Sequence, residues 1–333
     1  MPTNPPTANT RKMASQVVLF MTLVALVAPS GVQAQSDYPN RPVRIIVGFT
    51  PGGGPDITAR YIAQQLGNSW KQQVIVENRP GAGGTLAAAM VARAAPDGYT
   101  LLSVSSAHAA AAAIYPKLPY DMKELSGITQ TGSSKYVLVV APSLGIKSLR
   151  ELLQAAKAKP GQLNFSSAGV GSGTHFAAEI FKSLAAIDVV HVPFKGIPEA
   201  LSETLAGRVQ FFMAPIANSV NYVKDGRLLG LGVSSLRRDP LLPEVPTLDE
   251  AGVPGYESEL WFGLLTASGV PRAIIDKLSS ETRKILSDPE TRARWAPIGI
   301  EPRPSAPQEF DRLVRDQIAL FTKTARAADI RAE

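Results

Sequence analysis

The sequence predicts an α/β protein of two lobes, each a mostly parallel sheet flanked by helices. Three observations carry this. Short apolar runs alternate with helix-forming stretches from residue 43 to residue 224, the pattern of strands joined by helical crossovers. Two glycine-rich strand-to-helix turns, GFTPGGGPD (48–56) and SSAGVGSGTH (166–175), open two separate halves of that pattern. After residue 228 too few strands remain for a sheet of their own, so the C-terminal part returns to the first half. Lobe 1 then comprises residues 35–130 and 232–333, and lobe 2 residues 131–231. The chain crosses between them near 128–136 and 228–234, which makes a two-crossing hinge with a cleft as the natural ligand site.

Taken in order, 43–49 is a buried strand and 51–54 a glycine turn. Pro55 and Asp56 then open a helix that runs to Trp70. Residues 74–76 form a short strand, 79–84 a second glycine turn, 85–95 an alanine-rich helix and 100–106 a strand ending in small polar residues. Residues 136–141 read as a strand. Ser148 caps a helix that reaches Lys159, with Glu151 three residues on as in a capping box. Strands at 163–167, 189–194 and 209–214 alternate with helices at 174–186, 197–206 and 216–224. An apolar strand at 228–234 leads out of this run into a proline-rich stretch, 240–255. Strands at 261–266 and 298–302 and helices at 271–287 and 308–328 complete the chain.

Composition narrows the function. At 45% hydrophobic and 19% charged, the 333 residues are globular and long enough for two lobes. Residues 1–34 read as a removable signal peptide: Arg11 and Lys12 precede the apolar run 17–28, and Val32-Gln33-Ala34 resembles a cleavage site. A retained anchor is the other reading of that run, which is short for a membrane span. Export to the periplasm follows from the first reading. Removing this segment lowers the formal charge from +6 to +4. The charges are scattered, which argues against nucleic acid as a partner. With no cysteine and three histidines (His108, His175, His191), a zinc site is not expected. No metal or other cofactor is expected.

The two turns carry the chemistry. A strand that ends in a glycine turn and starts a helix leaves backbone N–H groups unpaired at the positive end of the helix dipole, a place for an anion. The first turn offers Thr50, Pro51, Gly52, Gly53 and Gly54; it is neither a Walker A loop nor G-x-G-x-x-G. The second offers Ala168, Gly169, Val170, Gly171, Ser172, Gly173 and Thr174. Asp56 either complements the helix dipole or holds the loop, or else it meets a ligand ammonium group. Lys195 is a solvated lysine or a cation steering an anion. His175 beside Ser172 permits a serine hydrolase as a rival reading. The pattern is not G-x-S-x-G, however, and no acidic partner lies nearby. Trp261 and Phe262 read as core.

At these loops the chain resembles the periplasmic receptors of tripartite tricarboxylate transporters, the Bug or TctC-like family. The matching stretches are Tyr38-Pro39 with RPVRIIV (41–47), Gly52-Gly53 with Asp56, ENRPGAGG (77–84), DGYTL (97–101), and LPYD (118–121). Further on come Ser167-Ala168-Gly169, Gly171-Ser172 with His175, VPFKG (192–196), and Pro246-Thr247 with Glu250-Ala251-Gly252. The resemblance implies a type II periplasmic-binding-protein fold, no catalysis, and a monomeric receptor whose carboxylate ligand is held by the two loops, partly through water. It implies Gly83, Gly84, Ser105 and Ser106 as neighbours of the site, with membrane transporter subunits as partners. An orphan sensor subunit is the alternative. One departure stands out: Pro55 replaces a position that often carries a hydroxyl, and it has no N–H.

Overall fold

The computed structural model describes residues 1–2 and 38–332. The apolar run and cleavage site expected within residues 1–34 lie outside the described residues. The chain divides into Met1–Asn40 and Arg41–Glu333, and the elements below all belong to the second unit.

The strands are β1 (Val43–Val47), β2 (Val74–Asn78), β3 (Thr100–Ser105), β4 (Leu125–Val140), β5 (Asn164–Ser167), β6 (Val190–Pro193), β7 (Phe211–Pro215), β8 (Leu229–Val233), β9 (Glu259–Ala267) and β10 (Glu301–Pro302). The helices are α1 (Gly54–Trp70), α2 (Thr85–Ala92), α3 (Ala107–Ile114), α4 (Leu149–Ala158), α5 (Gly173–Ala185), α6 (Ile197–Leu205), α7 (Ile216–Lys224), α8 (Arg272–Ser287), α9 (Pro289–Trp295) and α10 (Pro307–Ala327).

The strands form one mixed sheet in the order β2-β1-β3-β9-β4-β7-β5-β6, with β8 and β10 also pairing to β4. β1 runs parallel to β2 and β3, and β5 runs parallel to β6 and β7. These are the two runs of strand–helix units in the sequence. The C-terminal part returns to the first run: β9 pairs antiparallel with β3 and β4, and α10 packs on α3.

Residues 128–136, expected as a crossing, form the middle of β4. Its first part pairs with β9 and its last part with β7 and β8. Two register shifts against β9 bend it on the way. The segment's Gly, Ser, Thr and Gln hide its strand character in sequence, yet Thr129, Thr131, Ser133 and Ser134 are all buried here. Two helices also escaped the sequence reading. α3 is nearly polyalanine and gives no apolar–polar contrast, and α9 is a short segment capped by Asp288, whose side chain accepts from Glu290 N.

Apolar clusters fill both sides of the sheet. Ile46, Leu102, Val104, Trp261 and Phe310 pack around the first run, and Phe165, Phe181, Phe211 and Tyr256 around the second. Because parallel strands end on the same side, the starts of α1, α3, α5, α6 and α7 converge on one region.

Candidate functional site

That region is a cavity of about 630 Å³ between the β1–β2–β3 part of the sheet and the β5–β6–β7 part. Thr50, Gly52, Gly53 and Gly54 line it from one side, and 168–174 from the other. Gly83, Gly84, Ser105 and Lys195 also line it. Pro51, Asp56, Ser106 and His175, expected among the ligand contacts, are not lining residues.

Asp56 is buried and fully engaged. Its carboxylate accepts from Gly52 N at 3.0 Å, from Arg60 Nε at 3.0 and 3.1 Å, and from Asn78 Nδ2 at 2.8 Å. Burial pushes this carboxyl up, but the Arg60, Gly52 and Asn78 hydrogen bonds outweigh it and hold the group below its ordinary range. Asn78 also donates to Phe49 O at 3.0 Å and accepts from Arg60 Nη2 at 2.7 Å. Asp56 thus shapes the loop. Sequence reasoning placed Asn78 in a motif but gave it no role.

This network changes which donors remain. The Gly52 N–H, expected to face a ligand, is spent on Asp56. Gly52 adopts φ +87°, which glycine tolerates best. The N–H groups of Gly53 and Gly54 have no partner among the described residues. Gly53 is extended, with φ −79° and ψ 164°. Gly54 lacks a side chain for a steric reason: a Cβ there would run into the Phe262 ring. Phe262, read as core, is buried and also lines the cavity.

The second loop is likewise braced from within. Ala168 N donates to Thr174 Oγ1 at 2.9 Å, Gly169 N to Ser167 Oγ at 3.1 Å, and Gly171 N to His175 Nδ1 at 3.2 Å. Ser172 caps α5 by accepting from His175 N. The N–H groups of Val170, Gly173 and Thr174 have no partner among the described residues.

His175 is a buttress behind this loop. Its ring stacks on His191 at 3.7 Å, and burial lowers His175 to about 3 and His191 to about 4, so both are neutral at neutral pH. With Nδ1 accepting, the His175 proton sits on Nε2, 3.8 Å from Glu179 Oε1. His191 Nε2 is 2.6 Å from Ser167 Oγ. Among the described residues no hydrogen bond joins Ser172 Oγ to a His175 ring nitrogen, so the nucleophile–base pair of a hydrolase is not assembled here. His108 lies elsewhere, sharing a 3.2 Å hydrogen bond with Tyr120. It lines a crevice of about 10 Å³ beneath Gly83 and Gly84.

The lining is electrostatically one-sided. Among the described residues that line it, Lys195 is the only charged side chain, and there is neither Asp nor Glu. Further apolar and polar lining comes from Phe194 and from Ile114, Tyr136, Asn218, Leu260, Ile298 and Ile300, and no sequence motif had marked the last six. Among the described residues no group of His, Cys, Asp and Glu could hold a metal ion, and no helix is long and apolar enough to cross a membrane.

A mixed sheet with helix starts gathered around an acid-free cavity defines a solute-binding protein of the type II periplasmic-binding-protein fold. The family model described as "Tripartite tricarboxylate transporter family receptor" matches residues 58–328, and the chain belongs to that family. A similar protein, the UPF0065 protein in the tcbD-tcbE intergenic region of Pseudomonas sp. (strain P51), is 33% identical over 315 residues, 94% of this chain and 93% of that one. Among solved structures, R. palustris Rpa4515 with adipate is 31% identical with a TM-score of 0.82, covering 88% of this chain and 99% of that one. MatC (Rpa3494) from Rhodopseudomonas palustris with bound malate is 32% identical with a TM-score of 0.77, covering 86% and 99%.

Proposed function

We propose that this protein is a periplasmic receptor that captures a small organic carboxylate between two lobes, residues 35–130 with 232–333 and residues 131–231. It then presents the closed form to the membrane subunits of a tripartite tricarboxylate-type transporter. The observation that carries this reading is the pair of facing loops with unpaired N–H groups, Gly53 and Gly54 opposite Val170, Gly173 and Thr174. Among the described residues, the cavity they share is lined by one lysine and no acid. Main-chain N–H groups at helix starts bind anions without a desolvated counter-charge. The adipate and malate found in similar receptors support a carboxylate. Residues 1–34 direct export and are absent from the mature monomer.

A ligand favours closure only through contacts that differ between the open and closed states, and one that touches both loops meets that condition. The chemistry is binding alone. A thermal-shift screen of organic acids identifies ligands, because a compound bound only to the native state raises its stability. X-ray scattering with the best of them will show a smaller radius of gyration; identical profiles at saturation would refute lobe closure.

A further inference from the structure

Each of the two loops abuts an apolar side chain. The Phe262 ring stands against Gly54, and Ile114 Cδ1 stands against Gly171. A Cβ on Gly173 would meet the Tyr136 hydroxyl at 2.6 Å, Ser106 Oγ at 3.2 Å and Leu260 Cδ1 at 3.3 Å. Leu260 and Phe262 belong to β9, where it pairs with Ser134 and Gly132 of β4. Ile298 and Ile300 lead into β10 on the other side of Gly132, and Gly299 between them abuts the backbone of α7 at Ala217. The end of the cavity nearest β4 is therefore largely aliphatic and aromatic. Asn218 is the sole side-chain amide among the described lining residues.

Several of the hydroxyls that line the cavity are already engaged. Ser105 Oγ accepts from Ala107 N, and Ser134 Oγ donates to Lys135 O. Thr174 and Ser172 bond each other while serving Ala168 N and His175 N. At the second position of α1, where another residue would add an N–H, Pro55 presents its ring.

Resting on the receptor reading above, we infer that the ligand's carboxylate is attached to an apolar body free of hydroxyls, a methylene chain or a ring, rather than to a hydroxylated one. The loops take the charged head, and the half-buried Leu260 and Ile298, backed by the buried Phe262 and Ile300, take the body. A hydroxylated body would bury hydroxyls against these side chains without enough partners, which is unfavourable.

The test uses acids matched in carbon number and charge. Calorimetric titration of the mature protein compares hexanoate with gluconate, and adipate with galactarate. Binding of hexanoate or adipate at least tenfold tighter than its hydroxylated match is the expected result. The monoacid and diacid arms also tell whether a second carboxylate is accepted. Leu260→Asn should shrink the preference within the favoured pair while the protein's melting cooperativity is kept. Equal or tighter binding of gluconate or galactarate overturns the inference and leaves the receptor reading standing. If neither these four acids nor malate and citrate bind, the receptor reading fails and the inference fails with it.

Discussion

Gly53 and Gly54 are adjacent, but a side chain would have opposite consequences at the two positions. Gly53 is extended, a backbone any residue adopts, and a Cβ built there meets nothing nearer than Thr50 O at 3.8 Å. Gly53→Val therefore adds its methyl groups toward the cavity without straining the fold. Its stability should stay within about 0.5 kcal/mol of the parent. In binding, the valine crowds the N–H groups of Gly53 and Gly54. Losing one hydrogen bond to a charged carboxylate costs about 1.5–3 kcal/mol, which weakens the dissociation constant roughly 10- to 150-fold. Gly54→Ala drives a methyl group into the Phe262 ring, and overpacking of this kind costs about 1–3 kcal/mol of stability. Urea unfolding and calorimetric titration with the strongest ligand of the screen measure both quantities for each variant. Gly53→Val with parental affinity would refute the argument that main-chain donors of the first loop hold the anion. A large loss of stability in that variant would refute the geometry of the loop.

Three further outcomes are expected. His108 is buried beside Tyr120, and burial lowers it to about 4, so the folded state holds it neutral. The unfolded chain takes up that proton near its ordinary value of about 6.5, so stability falls as pH drops from 7 to 5. The contribution of this one group is about 2 kcal/mol, and urea melts of His108→Gln should show the pH dependence reduced by that amount. Lys195→Gln removes the only cation among the described lining residues; it should lower the association rate at low salt and converge on the parent at high salt, measured by stopped-flow fluorescence. Asn78→Ala takes partners from Phe49 O and from the Asp56 carboxylate; it should cost about 1–3 kcal/mol by urea melt and weaken ligand binding through a loosened first loop.

The parallel units were legible because their signals are local. Val43–Val47 and Phe211–Pro215 are apolar runs next to turns, and Ser148 announces a helix by capping Glu151 N. The two loops were legible because glycines cluster where strand meets helix. Which N–H groups those loops leave unpaired was not legible. That depends on Asp56 reaching back to Gly52 and on His175 reaching back to Gly171, choices made by tertiary packing against Asn78 and His191. The apolar end of the cavity was hidden for a related reason. Leu260, Phe262 and Ile300 look like core residues in sequence, and only the meeting of β4, β9 and β10 brings them to the cavity wall.

The sixteen residues of β4 serve two neighbourhoods at once, and this limits how the molecule can be dissected. Cutting before Leu125 takes β3 away from β9, and cutting after Gly132 separates the first part of β4 from β9. Either fragment would present a long unpaired edge, the surface on which other chains add strands. Attempts to produce one half alone should yield aggregates, whereas circular permutants opened at the exposed Asp225-Gly226 turn should fold as a whole.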